Sequence, residues 1–116
     1  MFKAWVDDCR LAPFGWIHLP NYNMTIKFMM RTKGNVSVLS LDHDLGEKKT
    51  GYDILLWMID NNWWPADEIR IHTANPVGRD NMTYAINRHS PFVMKRFVEF
   101  DEHGNAFWRS VRKEAV

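Results

Sequence analysis

The stretch LSLDHDLG, residues 39–46, decides how the chain reads, because it runs apolar residues and a serine straight into Asp42, His43 and Asp44 before stopping at Gly46. With the residues before it the run becomes NVSVLSL, 35–41, β-branched and apolar as a strand covered on both faces has to be. Two carboxylates and an imidazole at the end of such a strand must be paired, hydrated or bound to something, since an isolated charge is costly to bury. The stretch predicts a central strand that delivers titratable chemistry at its carboxyl end.

On the amino-terminal side, FKAWV at 2–6 predicts a first strand that breaks at Asp7 and Asp8. APFGWIHLPN at 12–21 contains prolines and a glycine, so it reads as an irregular connection with a short strand around Trp16 to Leu19, and a regular first helix is expected to be missing or very short. Apolar residues from Met24 to Met30 follow a moderate helical period, and Gly34 supplies a stop. On the carboxyl side, Thr50 and Asp53 form a capping-box variant that opens a helix through YDILLWMIDNN. Its expected core face is Tyr52, Leu55, Leu56 and Ile59, and Trp63-Trp64-Pro65 is its expected end. EIRIHTA at 68–74 predicts the next strand, after which Asn75 as N-cap and Pro76 at the first helical position open a helix over NPVGRDNMTYAINR. Alternation on both sides of His103-Gly104-Asn105 predicts a β-hairpin. The repeat of strand, tip and helix predicts an α/β fold, flavodoxin-like and three-layered, with a mostly parallel sheet and a divergent C-terminal part.

The chain has 116 residues, enough for one hydrophobic core, and residues 1–116 are expected to form a single domain. Fifteen Lys and Arg against fourteen Asp and Glu leave a formal charge of +1, which gives no bulk attraction to nucleic acid or to an anionic membrane. A single cysteine, Cys9, excludes an intramolecular disulfide, and its acidic neighbours Asp7 and Asp8 argue against a thiolate nucleophile. No signal-like or membrane-spanning run is present, so the expectation is a soluble, cytoplasmic protein without a membrane partner.

In an open, mostly parallel sheet, ligands bind outside the carboxyl ends of the strands. The strand tips here carry Asp7 and Asp8, then Asp42, His43 and Asp44, then His72 and Thr73. A flavodoxin-like strand order makes the first and third strands neighbours, which brings Asp7 or Asp8 close to Asp42. Like charges that close need a counter-charge, and a hydrated divalent cation such as Mg²⁺ on Asp7, Asp8 and Asp42 is the expected one. Asn75, Pro76 and Arg79 open the following helix, where free N–H groups and a guanidinium suit a phosphate. His72, at a strand tip, is expected to contribute little packing.

The same residues resemble a receiver domain of the response-regulator kind. More narrowly, WVDDCRLAPFGW, LSLDHDLGEKKTGYDILLWM and IHTANPVGRDNM resemble the cyclic-phosphate-processing receiver-like family over roughly residues 2–86. The resemblance implies phosphoester chemistry and a site of Asp7, Asp8, Asp42, His43, Asp44, His72, Asn75, Arg79 and Asn81. On that reading His43 and His72 exchange protons with substrate and solvent, Asp42 or Asp8 orients an imidazole or holds Mg²⁺, Asp44 joins the catalytic set, and Thr73, Asn75, Arg79 and Asn81 bind the phosphate. The expected activity is a cyclic phosphodiesterase acting on 2′,3′-cyclic phosphate RNA ends or cyclic nucleotides, at home in a bacterium or a phage.

Two features depart from a signalling receiver. The lysine-proline pair after its fifth strand is lacking, the nearest residue being Lys95 in VMKRF, so phosphoryl relay through Asp42 is disfavoured. Residues 88–116 follow no receiver pattern. The competing reading is a non-catalytic receiver-like module that binds a phosphorylated ligand, RNA or a protein.

Overall fold

The structure, a computed structural model, describes residues 1–114, so the last two residues of the expected 1–116 domain lie outside the described set. The elements are β1 (Phe2–Val6), β2 (Ile17–Leu19), α1 (Tyr22–Arg31), β3 (Val36–Leu41), α2 (Gly51–Asn61), β4 (Glu68–Ile71), α3 (Pro76–His89), β5 (Phe92–Phe100) and β6 (Ala106–Arg112). They build one α/β sheet in the order β2-β1-β3-β4-β6-β5. β2, β1, β3 and β4 pair in parallel, while β6 pairs antiparallel with both β4 and β5. The expected C-terminal hairpin is present, and it completes the sheet, because β6 inserts between β4 and β5. Its turn is held by Asp101, whose Oδ1 accepts from the amides of His103 and Asn105 at 2.9 Å each.

Local chemistry accounts for the helix ends. Asn21 caps α1 by accepting from the Met24 amide, and Asn75 caps α3 by accepting from the Gly78 amide. Thr50 and Asp53 form a reciprocal capping box at α2. The end of α2 differs from the expectation: Asn62 adopts the left-handed conformation, φ 48°, and closes the helix before Trp63. The connection from β1 to β2 carries no helix, as the prolines and glycine of 12–21 anticipate.

All three helices lie on one face of the sheet, where α1 packs on α2 and α2 on α3. Their apolar sides, including Met29, Ile54, Leu55, Met58, Met82 and Ile86, meet Ala4, Val6, Leu39, Leu41, Ile69 and Ile71 in one core. Of the expected α2 core face, Leu55 is buried and Tyr52 and Ile59 pack against the core, but Leu56 does not. Ile54 and Met58 are buried, whereas Leu56 is 41% exposed. Because ILLWMI is apolar all round, periodicity leaves the phase open, and the close seating of Gly51 at the helix start sets it. Among the described residues, the opposite sheet face, where the three-layer expectation puts a further layer, has no helix. Segment 7–16 covers part of it, with Trp16 edge-on to Trp5 at 6.2 Å. By register, Trp5, Ser40 and Arg70 share this face, and His72 follows Arg70 by two residues.

Candidate functional site

Three parallel strands end side by side. The Asp42 amide donates to the Val6 carbonyl at 2.9 Å and the His72 amide to the Leu41 carbonyl at 3.0 Å, so the ladder runs past the strands and aligns their tips. Asp7, Asp42 and His72 are all buried, and one ligand atom from each lies within 4.8 Å of the others.

Asp7 is the most heavily bonded of the three. Its Oδ1 accepts from the amides of Cys9 and Arg10, both at 2.8 Å, and its Oδ2 accepts from Arg10 Nε at 3.0 Å and His72 Nε2 at 3.1 Å. Burial pushes this carboxyl up, but the hydrogen bonds from His72, Arg10 and Cys9 outweigh burial and hold its pKa at about 2. His18 on β2 adds a brace from Nε2 to the Asp7 carbonyl at 2.6 Å.

His72 lies beneath the cleft. Its ring stacks on Trp5 with centroids 3.7 Å apart and planes 7° from parallel, and Ser40 Oγ sits 2.6 Å from Nδ1. With Nε2 donating to Asp7, the network assigns Nδ1 as acceptor from the Ser40 hydroxyl, which is a neutral imidazole. Burial favours that form and lowers the His72 pKa, against the opposing pull of Asp7 and Asp42. The sequence expectation of little packing at this tip is therefore corrected: His72 is fully buried and both ring nitrogens are engaged.

Arg10 supplies a guanidinium that the sequence reading passed over, although it stands in the same WVDDCR stretch at three residues from Asp7. Besides Asp7 it donates to the His72 carbonyl at 2.6 Å and approaches Asp42 Oδ2 at 3.7 Å. The expected counter-charge between the acidic tips is thus present as a side chain of the protein itself. Asp42 still has its carboxyl pushed up, by burial first and by Asp7 second, with the Thr73 hydroxyl, His72 and Arg10 pulling it back.

Above these residues opens a cleft of about 380 Å³ with Asp8, Arg10, Asp42, Asp44 and Thr73 in its walls. Asp8 is exposed and lies against Gly46, where a Cβ would come within 2.6 Å of Oδ2. The neighbouring Cys9 thiol is pushed up by its hydrogen bond to Asp8, as the sequence reading anticipates. Asp44 takes His43 Nδ1 at 3.0 Å on one oxygen and the Asn75 amide at 3.3 Å on the other, and the His43 contact first, then Asn75, lowers its pKa against a small burial effect.

Two glycines of the quoted motifs have steric reasons. A Cβ on Gly78 would collide with the His43 ring, and one on Gly51 would collide with the Asp42 carbonyl oxygen. Their absence of a side chain lets the first turns of α3 and α2 press against the β3 tip.

The expected phosphate set divides. Thr73 lines the cleft and accepts from the backbone N–H of Asn75 at 3.1 Å, while the Asn75 side chain reaches the site through Asp44. Arg79 turns away: its guanidinium lies over Trp108 of β6, 4.4 Å from the ring centroid, and pairs with Asp80 at 3.5 Å. Asn81 is exposed on α3, outside the cleft. Residue type placed both on the helix, but only the cross-sheet position of Trp108 determines where Arg79 points.

The fold and the aligned acidic tips define a receiver-like α/β protein. A family model described as cyclic-phosphate processing receiver domain matches residues 2–88, and the chain belongs to that family. No curated protein and no solved structure matches it. Among the described residues, no helix is long and apolar enough to cross a membrane.

Proposed function

We propose that the protein hydrolyses cyclic phosphodiesters, in particular a 2′,3′-cyclic phosphate in a small nucleotide or at an RNA end. The observation that supports this most is Asp42, a carboxylate of raised basicity at the floor of an open cleft, set above a fixed Asp7–His72 pair. A general base works best when its pKa approaches the working pH, and burial beside Asp7 moves Asp42 that way.

Asp42 takes a proton from a water molecule whose oxygen attacks phosphorus. The P–O bond to one ribose oxygen breaks, and that oxygen receives a proton from His43, which Asp44 orients through Nδ1. The product is a phosphomonoester with a free neighbouring hydroxyl. Arg10 stabilises the charge on the phosphoryl oxygens. His72, with no free ring nitrogen, is a positioning residue that holds Asp7 and Arg10 in place.

The carboxylates of Asp42 and Asp8 line one cleft and would fit a hydrated Mg²⁺, which takes one or two protein oxygens and keeps its waters; with the ion bound, Asp42 would serve as its ligand and not as the base. Asp7 does not fit, because four donors already occupy its oxygens. Bound there, the ion supplies Lewis-acid polarisation of the phosphoryl group.

The test is ³¹P NMR of 2′,3′-cyclic and 3′,5′-cyclic nucleotides incubated with the protein, with Mg²⁺ and with a chelator. Conversion of the 2′,3′-cyclic form is expected, with a loss of roughly a hundredfold or more in Asp42→Asn. No turnover in any arm ends the hydrolase reading in favour of a binding module.

A further inference from the structure

A second cleft, of about 320 Å³, lies between α3 and the hairpin strands β5 and β6, with Arg79, Lys95, Arg96 and Trp108 in its walls. Its charge is opposite to that of the acidic cleft, with three cations facing one carboxylate, Asp80. The Arg79 guanidinium lies over the Trp108 ring, 4.4 Å from its centroid, and its ion pair is with the exposed Asp80. Among the described residues, Lys95 and Arg96 have no carboxylate within 4.0 Å. Lys95, Arg96 and Trp108 all lie beyond residue 88, outside the matched part of the chain.

We infer that this cleft binds one nucleotide unit of single-stranded RNA, with the Arg79–Trp108 pair as a stacking platform for the base and Lys95 and Arg96 holding the phosphate. A guanidinium is planar, so it offers a face to a base and in-plane donors to a phosphate, a combination that suits unstacked bases. An acidic peptide would use the charges alone and leave the platform idle. Arg79 stands four residues along α3 from Asn75, which bonds Asp44 at the rim of the acidic cleft, a rise of about 6 Å. The second cleft thus opens along the same helix whose first turn stands beside the acidic site, and it extends the proposed function from small cyclic nucleotides to RNA ends.

The test is fluorescence anisotropy of a labelled single-stranded RNA of about ten nucleotides ending in a plain 3′-hydroxyl. Binding is expected at low salt, with log Kd against log salt rising at a slope of about 0.7 for one neutralised phosphate. The surface double variant Lys95→Glu/Arg96→Glu should bind at least about tenfold more weakly while keeping the parent circular dichroism spectrum. No binding by the parent, equal binding by the variant, or displacement by polyglutamate as effective as by unlabelled RNA overturns the inference. The probe carries no cyclic phosphate, so the two readings fail separately. Binding without any hydrolysis upholds this cleft and rejects the hydrolase, and hydrolysis without RNA binding rejects this cleft alone.

Discussion

His72 Nε2 donates to Asp7 Oδ2 at 3.1 Å, a contact that joins the tips of β4 and β1 over the intervening β3. Ser40 of β3 and Trp5 of β1 complete the enclosure of the imidazole. One side chain thereby ties together the three strands that carry the acidic cleft.

Replacing that imidazole should cost fold stability. His72→Ala removes a stacked, fully buried ring and leaves Asp7 and Ser40 each short of a partner. A loss of about 3 kcal/mol is expected from the cavity and the unsatisfied polar groups together. Urea denaturation measures it. A change below about 0.5 kcal/mol, the scale of an ordinary surface substitution, would show that the contact carries no stability.

The pH profile of stability follows from the directions of three shifts. Asp7 is lowered from 3.8 to about 2, so its contribution, about 2 kcal/mol, is complete above pH 4 and is lost as pH falls toward 2. His72 is lowered from 6.5, which favours the neutral ring, so its contribution is also lost on acidification, beginning near pH 6.5. Asp42 is raised and acts in the opposite sense, its protonation relieving the fold as pH falls. Between pH 6.5 and 4, Asp42→Asn should therefore lose stability more steeply than the parent. Parallel profiles in denaturant titrations across that window would contradict the assignment.

Much of this architecture was legible in the sequence, and the parts that were not share a cause. Caps depend on residues a few positions apart, so Asn75 and the Thr50–Asp53 box could be read directly, while the approach of Asp7 or Asp8 to Asp42 followed from the strand order of the fold class. The hairpin was readable from its alternation. The phase of α2 was not, because its apolar run is continuous. Neither was the direction of Arg79, which depends on Trp108 in a strand paired across the sheet, nor the burial of His72, which depends on Trp5 and Ser40 from two other strands. Arg10 was missed for a different reason. Its role as counter-charge appears only once the strand tips converge, and the need for positive charge had been assigned to a metal.

Gly78→Ala distinguishes a steric glycine from an incidental one. In an ordinary helix this change stabilises by about 1 kcal/mol. Here the new methyl enters the space of the His43 ring, so a net destabilisation and a shifted His43 ring resonance in NMR are expected. A more stable protein with an unmoved His43 signal would mean that the α3 start does not press on the β3 tip.

Arg10 and a divalent ion compete for the Asp42 carboxylate, and this sets an order of metal responses. Mg²⁺ at ten times its Kd stabilises by about 1.4 kcal/mol through mass action, so the parent melting temperature should rise in millimolar metal. Arg10→Gln removes the guanidinium beside Asp42 and should show the larger rise, while Asp42→Asn should show none. Thermal melts with Mg²⁺ and with a chelator decide it, and flat responses in both the parent and Arg10→Gln would remove the metal from the site.

Thr73 tests whether Asp42 works as a base. Its hydroxyl lies beside the Asp42 carboxylate and helps hold that pKa down against burial and Asp7. Thr73→Val keeps the volume but withdraws the hydrogen bond, so Asp42 moves further up. The Thr73 oxygen also accepts the Asn75 amide, and losing that acceptor should cost about 1 kcal/mol of stability. If ionised Asp42 takes the proton from water, the acid limb of the kcat/KM profile for a 2′,3′-cyclic nucleotide must move to higher pH in the variant, with the rate on the alkaline side of that limb largely kept. A purely structural role for Thr73 would lower the whole profile without moving the limb, and that outcome would take the base assignment away from Asp42.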